Sequence, residues 1–400
     1  MKDILIIAHF TQVPGEAGNG RFNYLAEKID KQKATVEVVT TSFSHRTKTQ
    51  RNIQKDQQKS ISYKLTLLKE PGYEKNVSLK RFYSHYIMGR SLNKYFKHRK
   101  KPDIIYCAVP SLDVAKVAAT YANRNNIKFI IDIQDLWPEA FKMVFNIPII
   151  SDAMFYPMKK KAEYIYSTAD EIVGVSQTYV NKALKVNRKC DKAYSIYLGT
   201  ELAYFDRLSN GNKYVEKPEN EIWIAYIGTL GHSYDLYSVI TAVKILKDKG
   251  INNIKFVVMG DGPLKSKFET YAKEQEINSV FTGRLEYHKM AGILKVCDIA
   301  VNPIRSGSAG SIINKVGDYA AAGLPVINTQ ESEEYRHLLE KYKAGLNCEN
   351  GDIDSLVENL SILINDENLR ETFGVNSRRL AEDKFSRHHT YKNIIDILNI

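Results

Sequence analysis

Hydrophobic and polar positions alternate along this chain with two different periods. A solid apolar run at 3–10 gives way to the loop TQVPGEAGNGRF, which holds Gly15, Gly18 and Gly20. A helical period follows from Arg21 to Asp30, then the run VEVVTT at 36–41. Short apolar runs separated by amphipathic helices describe parallel strands covered on both faces. The pattern resumes with strands at 103–109, 128–134, 171–176 and 193–199, separated by helices at 111–125, 152–168 and 177–187. The polar stretch Thr200–Asn220, with Gly211 and Pro218, reads as a linker. A second series has strands at 221–228, 254–260, 280–283 and 298–304, with helices at 235–249, 264–276 and 286–296. Helices near 333–341, 353–364 and 367–383 lead to a last one from about His388. The predicted fold class is α/β, with two doubly wound Rossmann-like domains, 1–200 and 201–384, facing a central cleft. The final helix, 385–400, is expected to pack back on the first domain.

One segment breaks the alternation. Residues 44–77 are polar and basic, with one strand-like piece, ISYKLTLLKE, and an insertion of this length is usually mobile or functional. A helix is predicted over 78–101, where Leu79, Phe82, Tyr83, Tyr86, Ile87, Leu92, Tyr95 and Phe96 are interleaved with lysine and arginine. Two readings fit equally: a basic amphipathic helix for an anionic membrane surface, or a helix buried on its apolar side. No nucleic-acid motif accompanies the charge, so no nucleic-acid partner is expected.

Charge sharpens that contrast. The chain carries a net charge of +11, yet residues 44–101 hold 16 Lys/Arg against three acids, +13 in all, which leaves −2 for the remainder. The basicity belongs to one region. Cys107, Cys190, Cys297 and Cys348 are scattered, without a C-x-x-C pair, which suggests a reducing compartment. MKDILIIAHF reads as a buried strand rather than a signal peptide, and no apolar run approaches the length of a membrane span. A cytoplasmic location is expected.

The chemistry concentrates in NPIRSGSAGSIINKVGDYAAAGLPVINT, 302–329. It reads as a strand end, a Gly/Ser loop, a helix from about Ile312 and another strand. Backbone N–H groups at such a loop, the helix dipole and the charge of Lys315 suit a diphosphate. Asp318, on the same helical face, suits ribose hydroxyls. The plain alternative is an ordinary βαβ crossover with a Gly/Ser-rich turn.

The series YIGTLGHSYDLYSVITA, VVMGDGPLK, FTGRLEYHKMAGILKVCDIAVNPI and NKVGDYAAAGLPVI resembles the nucleotide-sugar half of the GT-B glycosyltransferases of family 4. DLWPE at 135–139 is similar to the subgroup that builds bacterial O-antigen and capsule repeat units, and within it to the N-acetyl-L-fucosamine transferases. The resemblance implies a donor nucleotide on the C-terminal domain and an acceptor on the N-terminal one. Asp318 sits where the second glutamate of the E-x7-E motif binds ribose, and Lys315 where a lysine faces the diphosphate. Ser311 and Ile312 would offer N–H groups, with Gly228 and Thr229 approaching from the neighbouring loop. Arg284 and Leu285 lie where the base is recognised, while Gly18 and Gly20 border the crevice from the first loop.

Departures from the family pattern are equally specific. Gly310 stands where the first glutamate of E-x7-E would hold the donor sugar. Thr229 and Tyr234 stand where an arginine and a lysine are usual, which leaves Lys315, with Arg305 or Arg21, to carry the diphosphate charge. Ala108, Val109 and Pro110 stand where a histidine is common. The family is usually retaining, a route that needs no enzymic base. An inverting route would need one, and Asp132, Asp135 and Glu139 are the candidate catalytic carboxylates, beside His9 and His232 at comparable strand ends. Trp137 fits either a sugar platform or a core. Gly260-Asp261-Gly262 reads as a turn bordering the crevice. No D-x-D is placed for a metal-bound diphosphate, since Asp352-x-Asp354 reads as a helix cap, so no metal or cofactor is expected. The implied enzyme transfers a sugar, an N-acetylated deoxysugar such as N-acetylfucosamine, from a UDP-sugar to a polyprenyl-diphosphate-linked saccharide. It would work as a peripheral protein on the inner face of the plasma membrane. A nucleotide-sugar 2-epimerase of GT-B shape and a non-catalytic GT-B binding subunit are the alternatives.

Overall fold

The structure, a computed structural model, describes residues 1–16, 20–52, 60–76, 78–144, 150–190, 192–210, 214–308 and 311–398. Gly18 and Gly310 lie outside the described residues. The chain divides into two units, Met1–Ile196 with Tyr391–Ile400, and Tyr197–Thr390.

The strands of the first unit are β1 (Lys2–Ile7), β2 (Ala34–Thr41), β3 (Phe43–Ser44), β4 (Thr49–Gln50), β5 (Lys64–Leu68), β6 (Ile104–Val109), β7 (Lys128–Ile133), β8 (Glu171–Gly174) and β9 (Ala193–Ser195). Its helices are α1 (Arg21–Lys28), α2 (Leu79–Phe96), α3 (Leu112–Asn125), α4 (Glu139–Val144), α5 (Ile150–Thr168) and α6 (Gln177–Leu184). All but the β3–β4 hairpin form one parallel sheet in the order β5–β2–β1–β6–β7–β8–β9. The strands are buried on both faces, as the apolar runs ILII at 4–7 and FII at 129–131 require. The strand-like piece of the basic insertion becomes β5, an edge strand paired with β2 from Glu37↔Lys64 to Thr41↔Leu68.

Helix α2 starts at Ser78, whose side chain accepts from the Arg81 N–H. It buries Arg81, Ser84, His85, Met88, Gly89, Leu92 and Phe96, a stripe at helical spacing that contains polar residues. Leu79, Tyr83 and Tyr86 stay exposed.

The second unit contains β10 (Ile222–Ile227), β11 (Ile254–Met259), β12 (Ser279–Gly283), β13 (Ile299–Asn302), β14 (Val326–Asn328) and β15 (Gly345–Asn347). These pair in parallel in the order β12–β11–β10–β13–β14–β15. Helices α7 (Leu202–Asn210), α8 (Leu236–Asp248), α9 (Lys265–Glu274), α10 (Tyr287–Val296), α11 (Lys315–Ala322), α12 (Glu333–Tyr342), α13 (Ile353–Asn365) and α14 (Glu367–Leu380) accompany the sheet. Two clusters form the core, one holding Trp223, Tyr319 and Phe385 and the other Tyr226, Phe256 and Phe268. The last helix, α15 (Arg387–Ile397), starts in this unit, and its Tyr391, Ile394 and Ile397 join the core of the first.

Two sequence expectations are corrected here. The stretch read as a linker contains α7, because Leu202 and Phe205, three apart, bury themselves in the second unit's core. The helix expected from about Ile312 begins at Lys315, with Asn314 as its N-cap, so Ser311 and Ile312 belong to the preceding loop. Among the described residues, no helix is long and apolar enough to cross a membrane.

Candidate active site

In the second unit the strand order reverses between β10 and β13, so the loops after these strands diverge at their carboxyl ends. Such a switch point is where open parallel sheets leave a crevice. A cavity of about 630 Å³ lies there, lined by Gly228, Thr229, Met259, Gly260, Asp261, Gly262, Arg284, Leu285, Met290, Asn314, Lys315 and Asp318, with Ile227. Gly228, Thr229, Arg284, Leu285, Lys315 and Asp318, all singled out from sequence for the donor, therefore line one cavity, together with the Gly260-Asp261-Gly262 turn. Volume and lining suit a small-molecule ligand.

Glycines let the backbone close in. Gly228 has φ +126, and a Cβ there would lie 3.1 Å from Lys315 Nζ. A Cβ on Gly260 would stand 1.8 Å from the Gly228 carbonyl oxygen, so the turn read from Gly260-Asp261-Gly262 is both a tight packing point and part of the cavity wall.

Lys315 is buried, and its Nζ lies 3.9 Å from the Tyr226 ring centroid and 4.0 Å from that of Tyr234. Nζ has no hydrogen-bond partner among the described residues. Burial pushes the amine well below the usual lysine range. Each ring contributes about 0.5–2 kcal/mol to an ammonium, whereas taking one out of water costs several kcal/mol. The two rings offset only part of that cost.

Asp318, one turn further along α11, is half-buried. Its Oδ1 accepts from Thr200 Oγ1 and from Tyr287 OH, both at 2.9 Å. Burial raises its pKa, against the hydrogen bonds from Tyr287 and Thr200 that lower it. The two donors fix the carboxylate beside the cavity. Sequence reading missed Thr200, Tyr287 and Met290, which lie far from the motif in the chain; the aromatic pair Tyr226 and Tyr234 left a signal only as a departure at Tyr234.

The loop before α11 is tied to the strand ends. Gln330 Nε2 donates to the Ser311 carbonyl at 2.7 Å, and Asn302 Nδ2 reaches Asn328 Oδ1 and Gln330 Oε1. Ile312 is buried and Ser311 partly so, and neither lines the cavity. Arg305 leans on Asp235, Nη2 to Oδ1 at 3.7 Å, instead of entering the cavity. His232 is exposed on its loop.

The carboxylates proposed as bases in the first unit separate by environment. Asp132 is fully buried; its oxygens bind Arg21 Nε (2.7 Å), Tyr106 OH (2.6 Å) and Gln134 Nε2 (2.6 Å). Full burial and these three partners give it a structural role in this unit rather than that of a base facing an acceptor hydroxyl. Arg21, buried by the same pair and donating to the Ile196 carbonyl, is likewise withdrawn as a phosphate ligand. Gly20 is the N-cap residue of α1, directly before it.

Glu139 is partly exposed and paired with Lys182 at 2.7 Å. Asp135 Oδ1 accepts from the Leu136 N–H (2.9 Å) and Tyr179 OH (3.4 Å), and Oδ2 from Trp137 Nε1 (3.2 Å). Burial raises its pKa, with these donors opposing. The Leu136 contact is a turn cap, yet the group stays partly exposed.

Beside it, Trp137 is a core residue, stacked on His85 and covered by the Arg81 guanidinium 4.8 Å from its ring. His9 is also spent, with Nδ1 against Ser111 Oγ at 2.6 Å and Nε2 against Glu70 at 2.9 Å. A larger hollow of about 740 Å³ lies at the amino ends of β1 and β2, opposite to where such sheets bind ligands, and its Glu37, Lys64, Asp3 and Arg99 are ion-paired with one another.

Comparison with known proteins places this geometry. Residues 212–380 match the family model for glycosyl transferases group 1. The chain is 24% identical over 318 residues to the capsular polysaccharide biosynthesis glycosyltransferase CapM of Staphylococcus aureus, covering 76% of this chain and 78% of CapM. Sucrose-phosphate synthase from Thermosynechococcus elongatus superposes with a TM-score of 0.72 at 14% identity, over 100% of this chain and 98% of its own. Anabaena HepE, solved in complex with UDP, does so with a TM-score of 0.67 at 12% identity, over 100% of both chains. The chain has the GT-B fold, its residues 212–380 are a glycosyl transferases group 1 domain, and it is a glycosyltransferase.

Proposed function

We propose that the cavity beside Lys315 holds a UDP-sugar and that the enzyme passes the sugar, an N-acetylated deoxysugar of the N-acetylfucosamine kind, to a polyprenyl-diphosphate-linked saccharide in capsule or O-antigen assembly. The observation that carries the reading is the convergence of Gly228, Thr229, Arg284, Lys315 and Asp318 on one cavity. Backbone N–H groups and a lysine beside a diphosphate stabilise the leaving nucleotide as its charge develops. In this reading Asp318, held by Thr200 and Tyr287, takes the ribose hydroxyls. CapM, a capsule glycosyltransferase, supports the biosynthetic setting, and the UDP held by HepE supports the nucleotide. In this reading Asp135, whose pKa is raised by burial, is the candidate base kept from the sequence, and a retaining route would not need it.

Helix α2 supplies the membrane contact in this proposal. Leu79, Tyr83, Tyr86, Arg90, Lys94 and Lys97 are exposed at helical spacing, apolar at one end and basic at the other. Arg99 takes no part, because it turns inward to Asp3 and Glu37. Such a stripe suits anionic headgroups, and the protein would work from the inner face of the plasma membrane.

The test is transfer from a panel of UDP-N-acetyl sugars to short-chain polyprenyl-diphosphate saccharides, followed by mass spectrometry. A single donor giving a product one sugar heavier supports the proposal. Nucleotide binding without turnover on any acceptor would instead fit a non-catalytic binding subunit.

A further inference from the structure

The first unit gathers a second group of cations at the carboxyl ends of its strands. Arg81, in the first turn of α2, sets its guanidinium among four rings. Its Cζ lies 4.8 Å from the centroid of Trp137, 5.6 Å from Tyr73, 5.8 Å from Phe10 and 5.9 Å from Phe141. These rings follow β1, β5 and β7, at the end of a parallel sheet that takes ligands. Ring faces favour a charged guanidinium but leave its N–H groups to find acceptors. Nη1 donates to the Asn76 carbonyl at 2.6 Å, whereas Nε has no partner, although Arg81 is only 9% exposed. Lys48, half-buried, places Nζ 4.7 Å from the Tyr73 centroid and donates to Asn76 Oδ1 at 2.6 Å. Two cations thus share one ring and meet the two neutral oxygens of one exposed residue. Among the described residues neither forms an ion pair. The nearby acids are engaged elsewhere: Glu70 by His9, Thr41 and Ser84, Glu74 by Lys80, and Asp135 by Leu136, Trp137 and Tyr179.

We propose that Arg81 and Lys48 form the diphosphate site for the lipid-linked acceptor, whose oxygens replace those of the Asn76 side chain on Lys48 and complete the bonding of Arg81. The identity of the anion rests on the acceptor reading above; the site itself rests on the first unit alone. A diphosphate supplies the negative charge that Asn76 lacks, and its hydrogen bonds to the two cations are charge-assisted. The guanidinium offers a planar fork held in place by the rings, and the ammonium a movable point charge beside it. Asn76, His45 and Phe10 are at least partly exposed, so an anion reaches the pair from solvent while the rings behind Arg81 keep water from its far side. Binding involves no covalent step. The site selects an acceptor that carries a diphosphate over the same saccharide on a neutral carrier.

Calorimetry on the whole chain tests this with inorganic pyrophosphate, a short-chain polyprenyl diphosphate and inorganic phosphate, at saturating UDP so that the cavity beside Lys315 is filled. The wild type is expected to bind both diphosphates, and each more tightly than phosphate. Lys48→Gln and Arg81→Lys should each weaken both diphosphates by about tenfold, the loss of one charge-assisted contact. Should Arg81→Lys not fold, Lys48→Gln, at a half-buried position, carries the test. Equal pyrophosphate affinity in the wild type and the folded variants would overturn the proposal, as would no binding of either diphosphate by the wild type. Phosphate bound as tightly as the polyprenyl diphosphate would overturn it too, because the ligand would then be a free anion. If UDP itself does not bind, the donor reading has failed, and the same titrations in a Lys315→Ala background still decide the acceptor site.

Discussion

The Arg21 guanidinium and the Asp132 carboxylate meet at 2.7 Å inside the first unit, with 2% and 0% of the two residues exposed. The pair links the start of α1 to β7, and Tyr106 and Gln134 complete the carboxylate's bonding. Removing one partner of such a pair leaves an uncompensated buried charge, which costs about 3–5 kcal/mol. Asp132→Ala should lose about that much stability in urea unfolding. A variant that keeps full stability but loses transfer would mean that Asp132 acts in the chemistry after all.

The sheet architecture was legible because buried parallel strands leave apolar runs such as IWIAYI at 222–227 and ILII at 4–7. The Lys315–Asp318 half of the site was legible for a similar reason, as loop, helix start and charge lie together in the chain. What escaped detection arises from distance or burial. Thr200 and Tyr287 reach Asp318 across 118 and 31 residues. Asp132 and Asp135 look alike in sequence, and only the arginine opposite one of them separates their roles. Leu202 and Phe205 form a short apolar patch, LAYF, followed by the polar stretch DRLSN, so α7 read as part of a linker.

Gly260 is the tightest packing point of the cavity. A methyl group there would overlap the Gly228 carbonyl, at 1.8 Å, and push apart the two loops that form the wall. Gly260→Ala should destabilise by about 1–3 kcal/mol and remove nucleotide binding. Gly250→Ala, with φ +93 but nothing within 4 Å, should cost about 1 kcal/mol of strain and leave nucleotide affinity unchanged. Equal affinities for all three proteins would show that the cavity is not the nucleotide site.

The first unit should weaken in mild acid. His45 is held down to about 4 by burial, then by Lys48 and Arg81, from an ordinary 6.5. A histidine whose folded value is depressed contributes stability that is full above 6.5 and is lost as the pH falls towards 4. The shift corresponds to about 2 kcal/mol after allowance for its partial exposure. Thermal melts of wild type and His45→Gln between pH 7 and 4.5 check this: the wild type should lose more stability over that interval than the variant. Parallel curves would contradict it.

Membrane docking through α2 has its own test. Reversing Arg90, Lys94 and Lys97 to glutamate should reduce partition onto anionic vesicles by on the order of a hundredfold, at about 1 kcal/mol per basic residue lost. The same variant should melt like the wild type, because all three side chains are exposed. Unchanged vesicle binding would remove α2 from the account.

The central claim is that the cavity between the ends of β10 and β13 holds a uridine diphosphate through Lys315. A panel of UDP, GDP, ADP and CMP, measured by thermal shift on wild type and Lys315→Ala, tests it most directly. UDP at about a hundred times its Kd should stabilise the wild type by about 2.7 kcal/mol, and the variant by much less. Stabilisation by no nucleotide, or equal stabilisation of both proteins by UDP, would contradict the account.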